Sequence, residues 1–261
     1  MRLNKTFQFI TRIIENRKIK ATYWRALLAA PQIASNALPG QFVQIWFGNN
    51  QEVFLRRPFS IHRVRGERLE ILYQVLGSGT EAFSKKKPGG SLDIIGPLGS
   101  GFKLPAATRK IKPVIVAGGM GVAPLVFLAK KLAGIPKRVL IGAKTSGQIL
   151  CEKEFKELDC DVKIATDDGS RGFKGYVSDL LKKELSDIGY QSVQIYACGP
   201  EPLLKKVAAI SSKHNIPAQI SLEEHMACGI GACLGCAINT HAGFQRVCKE
   251  GPVFDAKEIV W

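Results

Sequence analysis

The 261-residue sequence has no run of roughly 18 apolar residues, the least a helix needs to cross a bilayer, so no membrane association is expected. Residues 1–20 alternate polar and apolar types and lack the apolar block of a secretory signal. Seven cysteines without such a signal point to a reducing cytoplasm and argue against a disulfide framework. Acidic residues are scarce: 22 stand against 37 Lys and Arg, a formal net charge of +15. That surplus raises nucleic acid as a partner. Zinc-finger, RNA-recognition and aromatic-laced basic-helix patterns are all missing, however, and only Lys85, Lys86 and Lys87 form a compact basic run. No nucleic-acid partner is therefore expected. Nucleotide phosphates or an acidic protein face suit the charge better, and a general cationic surface would also keep copies apart.

What is present is concentrated near the carboxyl end. Cys228, Cys233, Cys236 and Cys248 follow the spacing Cys-x4-Cys-x2-Cys with a more distant fourth Cys, that of plant-type 2Fe–2S ligation. Four thiolates can hold two irons, two per iron. Three come from one short loop, so its backbone must curl tightly around the inorganic sulfides. Gly229, Gly231 and Gly235 suit that need, because glycine reaches positive φ at little cost. A structural zinc site more often pairs two Cys-x2-Cys knuckles, and only one such spacing occurs here. Zinc and free thiols stand as the alternatives to an iron–sulfur cluster.

The first third is strand-like. Leu69, Ile71, Tyr73 and Val75 alternate with Glu70, Leu72, Gln74 and Leu76, the period of a strand with two different faces. Residues 42–47 are apolar at nearly every position, as in a strand buried on both sides. Turn signals at Pro39-Gly40, Gly48-Asn49-Asn50, Arg65-Gly66-Glu67, Pro88-Gly89-Gly90 and Gly96-Pro97 punctuate the segment, which suggests a small antiparallel β-barrel. Arg56-Arg57-Pro58-Phe59-Ser60, Leu72-Tyr73-Gln74, Gly77-Ser78-Gly79-Thr80 and Gly96-Pro97-Leu98-Gly99 occur in this order. Together they resemble the flavin domain of the ferredoxin reductase superfamily. The resemblance implies that Arg57, Pro58, Phe59, Ser60, Leu72, Tyr73, Gln74, Gly79 and Thr80 bind FAD. Arg57 would meet the diphosphate and Ser60 the flavin ring, with Gly79-Thr80 opening a short helix toward phosphate.

From residue 111 the pattern becomes alternating strand and helix. The apolar run 113–117 reads as a buried parallel strand. Further strands are expected over 138–142, 162–166, 193–197 and 219–222, with helices over 152–158, 176–186 and 202–212. Such alternation implies an open parallel α/β sheet that binds ligands at the carboxyl ends of its strands. Gly118-Gly119-Met120-Gly121-Val122-Ala123-Pro124 follows the first strand and opens a helix. It is an incomplete dinucleotide fingerprint, with Pro124 where a third glycine would stand. Gly118, Gly119 and Gly121 are the candidates for a pyridine nucleotide. Thr166-Asp167-Asp168-Gly169-Ser170 reads as either a plain turn or a nucleotide contact. Lys144 could accept a 2′-phosphate, and no acidic residue stands at that strand end to grip a ribose diol.

Three parts are expected: a barrel over 1–108, an α/β domain over 109–220 and a cluster module over 221–261. Met226-Ala227-Cys228-Gly229-Ile230-Gly231-Ala232-Cys233 and Val247-Cys248, with Gly251-Pro252-Val253-Phe254 beyond, complete the pattern. With them the chain resembles the electron-transfer subunits of NAD-dependent (type B) dihydroorotate dehydrogenases over nearly its whole length. It departs from them at His225, where Arg is expected and which reads as a surface residue or one packed behind the ligands rather than as a ligand, and in a short insert between Cys236 and Cys248. The resemblance implies that Cys198, Gly199 and Pro200 lie near the nicotinamide, with Cys198 the catalytic candidate and NAD the nucleotide. It implies that dihydroorotate is oxidised at the FMN of a separate catalytic subunit. Electrons would pass through the 2Fe–2S cluster and FAD to NAD, in UMP biosynthesis, within a heterotetramer of two plus two. The chain has no second flavin site and no orotate-like pocket, so alone it should not oxidise dihydroorotate. The same layout serves subunits of sulfide dehydrogenases, hydrogenases and NADH–ferredoxin:NADP oxidoreductases. A redox-sensing binding module is the reading outside enzymes.

Overall fold

The computed structural model describes residues 5–47, 54–106 and 110–261. The turn expected at Gly48-Asn49-Asn50 and the expected boundary between residues 108 and 109 lie outside them.

Seven antiparallel strands form the first sheet: β1 (Phe7–Lys20), β2 (Tyr23–Ala29), β3 (Phe42–Trp46), β4 (Arg57–Ser60), β5 (Arg63–Arg65), β6 (Arg68–Gln74) and β7 (Ser91–Leu98). Their order is β4-β3-β7-β1-β2-β6-β5. Two short helices, α1 (Pro31–Asn36) and α2 (Ser78–Ser84), plug its ends. The first four residues of β3 are buried, as their apolar run requires. In β6 both alternating sets are buried, Glu70 and Leu72 included, so the two-faced strand expected there has protein on either side. The aromatic core accounts for one face: Tyr73 stacks on Phe83 at 4.5 Å between centroids, with Phe59 edge-on. The nucleotide domain covers the other.

The second sheet runs β11-β10-β9-β8-β12-β13-β16, parallel except for its last strand. Its members are β8 (Lys112–Gly118), β9 (Lys137–Ala143), β10 (Cys160–Thr166), β11 (Phe173–Lys174), β12 (Val193–Cys198), β13 (Ala218–Ser221) and β16 (Val253–Asp255). Helices α3 (Val122–Lys131), α4 (Glu152–Lys156), α5 (Val177–Ile188) and α6 (Glu201–Lys213) connect them. Val114, Ile115, Val116 and Ala117 are at most 1% exposed, which is why β8 can be apolar throughout. Strand order reverses between β8 and β12, so the loops after these two strands open a crevice at the switch point. The cysteine module, with hairpin β14 (Ala237–Thr240) and β15 (Gly243–Arg246), leaves this sheet after β13 and returns to it at β16. It is thus held at both ends. Among the described residues no helix is long and apolar enough to cross a membrane.

A buried polar cluster joins barrel to α/β domain. His62 and Glu70 are 0% and 3% exposed, and Arg25 pairs with Glu154 of α4. His62 Nδ1 donates to Ala123 O at 2.7 Å, and its Nε2 lies 3.5 Å from Glu70 Oε1. A ring nitrogen of His62, the Cys151 thiol and the Glu154 carboxylate lie within 4.8 Å of one another. The Arg25 guanidinium supplies the positive charge that a cation would otherwise bring there. Burial holds His62 far below its ordinary value, at about 3, so the folded protein keeps it neutral. The unfolded chain takes up that proton below about pH 6.5, so stability falls as pH drops from about 6.5 toward about 3. His62→Gln is expected to flatten this limb, which can be as steep as about 1.4 kcal/mol per pH unit. Urea melts across that range check it.

Candidate functional site

The cysteine loop is shaped by its glycines as expected, with one change of position. Gly229 (φ +68°) and Gly231 (φ +85°) adopt left-handed backbone. The third such residue is Leu234 (φ +59°), where Gly235 was expected, because Gly235 itself stays outside the left-handed region. This curl points amides at sulfur: Ala232 N and Cys233 N both donate to Cys228 Sγ at 3.4 Å. Desolvation pushes the Cys228 thiol up, but these amides and that of Ile230 outweigh it and hold it at about 6. Cys248 N donates to Cys236 Sγ at 3.4 Å. Burial, then the neighbouring Cys236, pushes the Cys248 thiol up to about 12. The thiols thus meet as two pairs, Cys228 with Cys233 and Cys236 with Cys248. Two pairs suit two irons, and amides aimed at sulfur suit anionic ligands. The short insert is the hairpin β14–β15, which turns the chain from Cys236 back to Cys248. Only Cys233 is well exposed; Cys236 and Cys248 are buried. His225 is exposed, as a surface residue should be.

Arg246 and Glu250 brace this loop. The guanidinium pairs with the carboxylate through two contacts of 3.0 and 2.5 Å, and Arg246 Nη1 donates to Gly231 O at 2.7 Å. Removing the carboxylate leaves Arg246 without the partner that holds it against Gly231 O of the loop. With charged hydrogen bonds worth about 1.5–3 kcal/mol, Glu250→Ala is expected to speed cluster loss roughly tenfold or more. The decay of visible absorbance under a chelator measures it.

A cavity lies where the barrel, the α/β sheet and the cysteine module meet. Pro58, Phe59, Ser60, Leu72, Tyr73, Gln74 and Thr80 line it, as does Cys198. Arg57 and Gly79 stand together beside it: a Cβ on Gly79 would lie 3.0 Å from Arg57 Nε. Thr80 Oγ1 accepts from the amides of Leu76 and Gly77 at 2.9 and 3.2 Å, which fixes the start of α2. An aromatic, half-apolar slot with an arginine beside a helix start fits a flavin and its diphosphate. Sequence reasoning missed Phe42, Met120, Ser221, Glu223 and Met226 in the same walls. Glu223 lines the cavity with its side chain open to solvent, and desolvation by the protein beside it holds its carboxyl above the ordinary range. Cys198 is 1% exposed; burial, then Glu223, pushes its thiol far up, so it stays neutral.

A second cavity of about 600 Å³ shares Gln74 and Met120 with the first. Gly118, Gly119 and Pro200 line it, together with Lys144, Asp167, Tyr176, Ser178 and Lys206. Gly121 and Gly199 serve it from behind, where the turn after β8 packs on the end of β12. The turn after β10 has one acid in a turn contact and the other at the cavity. Asp168 Oδ1 accepts from Ser170 N and Oγ at 2.9 and 2.7 Å, a turn contact, whereas Asp167 faces the cavity. Asp167, at the end of β10, thus shares that cavity wall with Lys144, at the end of β9. Lys206 lies 4.3 Å over the Tyr176 ring.

An antiparallel barrel, a parallel sheet with its switch-point crevice and a shared cavity define a ferredoxin-reductase-like oxidoreductase fold, here extended by a cysteine module. Residues 115–209 match the family described as oxidoreductase NAD-binding domain, and residues 223–260 the iron–sulfur cluster binding domain of dihydroorotate dehydrogenase B. The chain is 43% identical over 240 residues to the dihydroorotate dehydrogenase B (NAD(+)) electron transfer subunit of Desulforamulus reducens, covering 89% of this chain and 90% of that one. It is 40% identical to that of Caldanaerobacter subterraneus, covering 96% and 97%. Among solved structures it is similar to the NADH-dependent reduced ferredoxin-NADP oxidoreductase studied for flavin-based electron bifurcation. That match has 27% identity, a TM-score of 0.84, and covers 96% of this chain and 90% of the other. The chain belongs to the family of dihydroorotate dehydrogenase B electron transfer subunits.

Proposed function

We infer that this chain carries electrons from the FMN of a dihydroorotate dehydrogenase catalytic subunit to NAD, in pyrimidine biosynthesis. The observation that carries the reading is the single cavity bordered at once by Ser60 of the barrel, Cys198 of the α/β sheet and Met226 beside the cysteine loop. FAD, when bound, exchanges an electron pair with nicotinamide and single electrons with a 2Fe–2S cluster, so it belongs between them.

Each part of the chain has its task. Cys228, Cys233, Cys236 and Cys248 hold the cluster. Arg57, Pro58, Phe59 and Ser60, with Leu72, Tyr73, Gln74, Gly79 and Thr80, hold FAD. Gly118, Gly119 and Gly121, with Gly199 and Pro200, hold NAD. Asp167 is suited to a ribose diol and would repel a 2′-phosphate, which favours NAD. Cys198, kept neutral by burial, packs at the nicotinamide position and excludes water there. Cys233, Ile230 and Leu234 present the loop's exposed edge, the side on which a catalytic subunit can approach. The segments are 1–108 for FAD, 109–220 for NAD and 221–261 for the cluster. A cytoplasmic heterotetramer of two plus two is the proposed assembly.

The test is fractionation of activity. The chain alone is expected to reduce dyes with NADH and to leave dihydroorotate untouched, and the catalytic subunit should restore NAD-linked orotate formation. Orotate produced by the lone chain would count against the assignment.

A further inference from the structure

Gln44 is a polar residue in an apolar place. It sits on β3, directly opposite Pro58 of β4 and two residues from Phe42, and both of these neighbours line the shared cavity. Its side chain is 0% exposed. Neither Nε2 nor Oε1 has a hydrogen-bond partner among the described residues. A buried carboxamide left so is costly, and a leucine or methionine would fill the space without that cost. Some group not made of protein must therefore answer it.

The position identifies that group. Gln44 lies against Gly229, the residue after Cys228. A Cβ on Gly229 would sit 2.4 Å from Gln44 Nε2 and 2.8 Å from its Cδ, so only glycine admits the contact. The carboxamide therefore presses on the loop that curls around the cluster, on the side toward the cavity. No thiol sulfur accepts from it. An inorganic sulfide held in this loop is an acceptor that the described protein atoms do not supply.

We propose that the Gln44 carboxamide donates a hydrogen bond to a sulfide of the 2Fe–2S cluster and thereby raises the cluster's reduction potential. A reduced cluster carries one more negative charge than the oxidised one. A donor aimed at its sulfur stabilises that charge, and in a site closed to water the effect is large. Gln44 thus biases the electron toward the cluster from the face that adjoins the flavin cavity. This rests on the assignment of the four cysteines as cluster ligands.

The test uses the holoprotein with ¹⁵N-labelled glutamine, reduced and read by pulsed EPR, beside a potentiometric titration of cluster and flavin. Wild type should show a glutamine nitrogen coupled to the reduced cluster. Gln44→Leu should lose that coupling and move the cluster potential to more negative values, with the flavin potential unmoved. Gln44→Met, which fills the same space with a flexible chain, should behave alike and stands in if leucine misfolds. Unchanged coupling and potential in these variants, or a shift confined to the flavin, would overturn the proposal. A wild-type protein with no reduced-cluster signal would remove the cysteine assignment itself, a different and recognisable result.

Discussion

Cys233→Ser is expected to abolish the EPR signal of the reduced cluster while FAD stays bound at one per chain. Cys233 is the exposed member of the first thiol pair, and its amide already serves Cys228 Sγ. A serine hydroxyl does not ionise near neutrality, so one iron loses a thiolate. Losing an outer contact of a metal site costs about 10–100-fold, and losing a ligand costs at least as much. Dihydroorotate-dependent NAD reduction by the assembled enzyme should therefore fall more than roughly 100-fold. NADH–dye activity should persist, because the flavin cavity and nucleotide crevice are built mainly from the two sheets. The exposed position leaves the core intact, so the loss can be assigned to the cluster. An unchanged reduced-cluster spectrum would remove Cys233 from the ligand set.

Gly121→Ala should damage the other end of the electron path. A Cβ there would stand 2.2 Å from Cys198 O, 2.3 Å from Cys198 C and 2.5 Å from Gly199 N. These are backbone atoms at the end of β12 and cannot swing aside. The turn after β8 must separate from the Cys198-Gly199 strand end, and the crevice between them opens. A displacement near 1 Å is enough to lower turnover on the order of 100-fold. NADH–ferricyanide activity should fall by that much, with FAD and iron content retained and the melting temperature lowered. Gly119→Ala is the control. Gly119 is left-handed, at φ +54°, whereas Gly121 is right-handed at φ −58°, but no atom lies within 4 Å of the Gly119 Cβ position. It should cost only about 1 kcal/mol of backbone strain. Equal effects from the two variants would mean that the close approach at Gly121 is not what matters.

Much of this was legible because it is local. The cysteine spacing, the apolar run of β8 and the order of flavin-like and nucleotide-like stretches are written in adjacent residues, and the strands and helices expected beyond residue 111 form within about two residues of their expected bounds. Helix α4 ends at Lys156, short of the expected 158, because Asp159 turns left-handed at φ +54° and starts β10. What could not be read was contact between distant segments. Nothing near Gln44 in sequence says that Gly229 will cover it. Glu223 reads as part of a polar linker until the fold sets it in the same cavity wall as Ser60 and Cys198. Asp167 reads equally as part of a plain turn or as a nucleotide contact, and only the fold shows that it lines the crevice. The His62–Arg25–Glu154 cluster exists only once two domains pack. Likewise β16 looks like a tail, and only its pairing with β13 brings it back into the sheet.

The central claim is that one polypeptide splits an electron pair between an organic ring and an inorganic centre. Anaerobically purified chain should contain one FAD, two irons and two acid-labile sulfides, and NADH alone should bleach the flavin and raise the reduced-cluster EPR signal. Fully loaded protein in which NADH bleaches the flavin but never produces that signal would contradict the account.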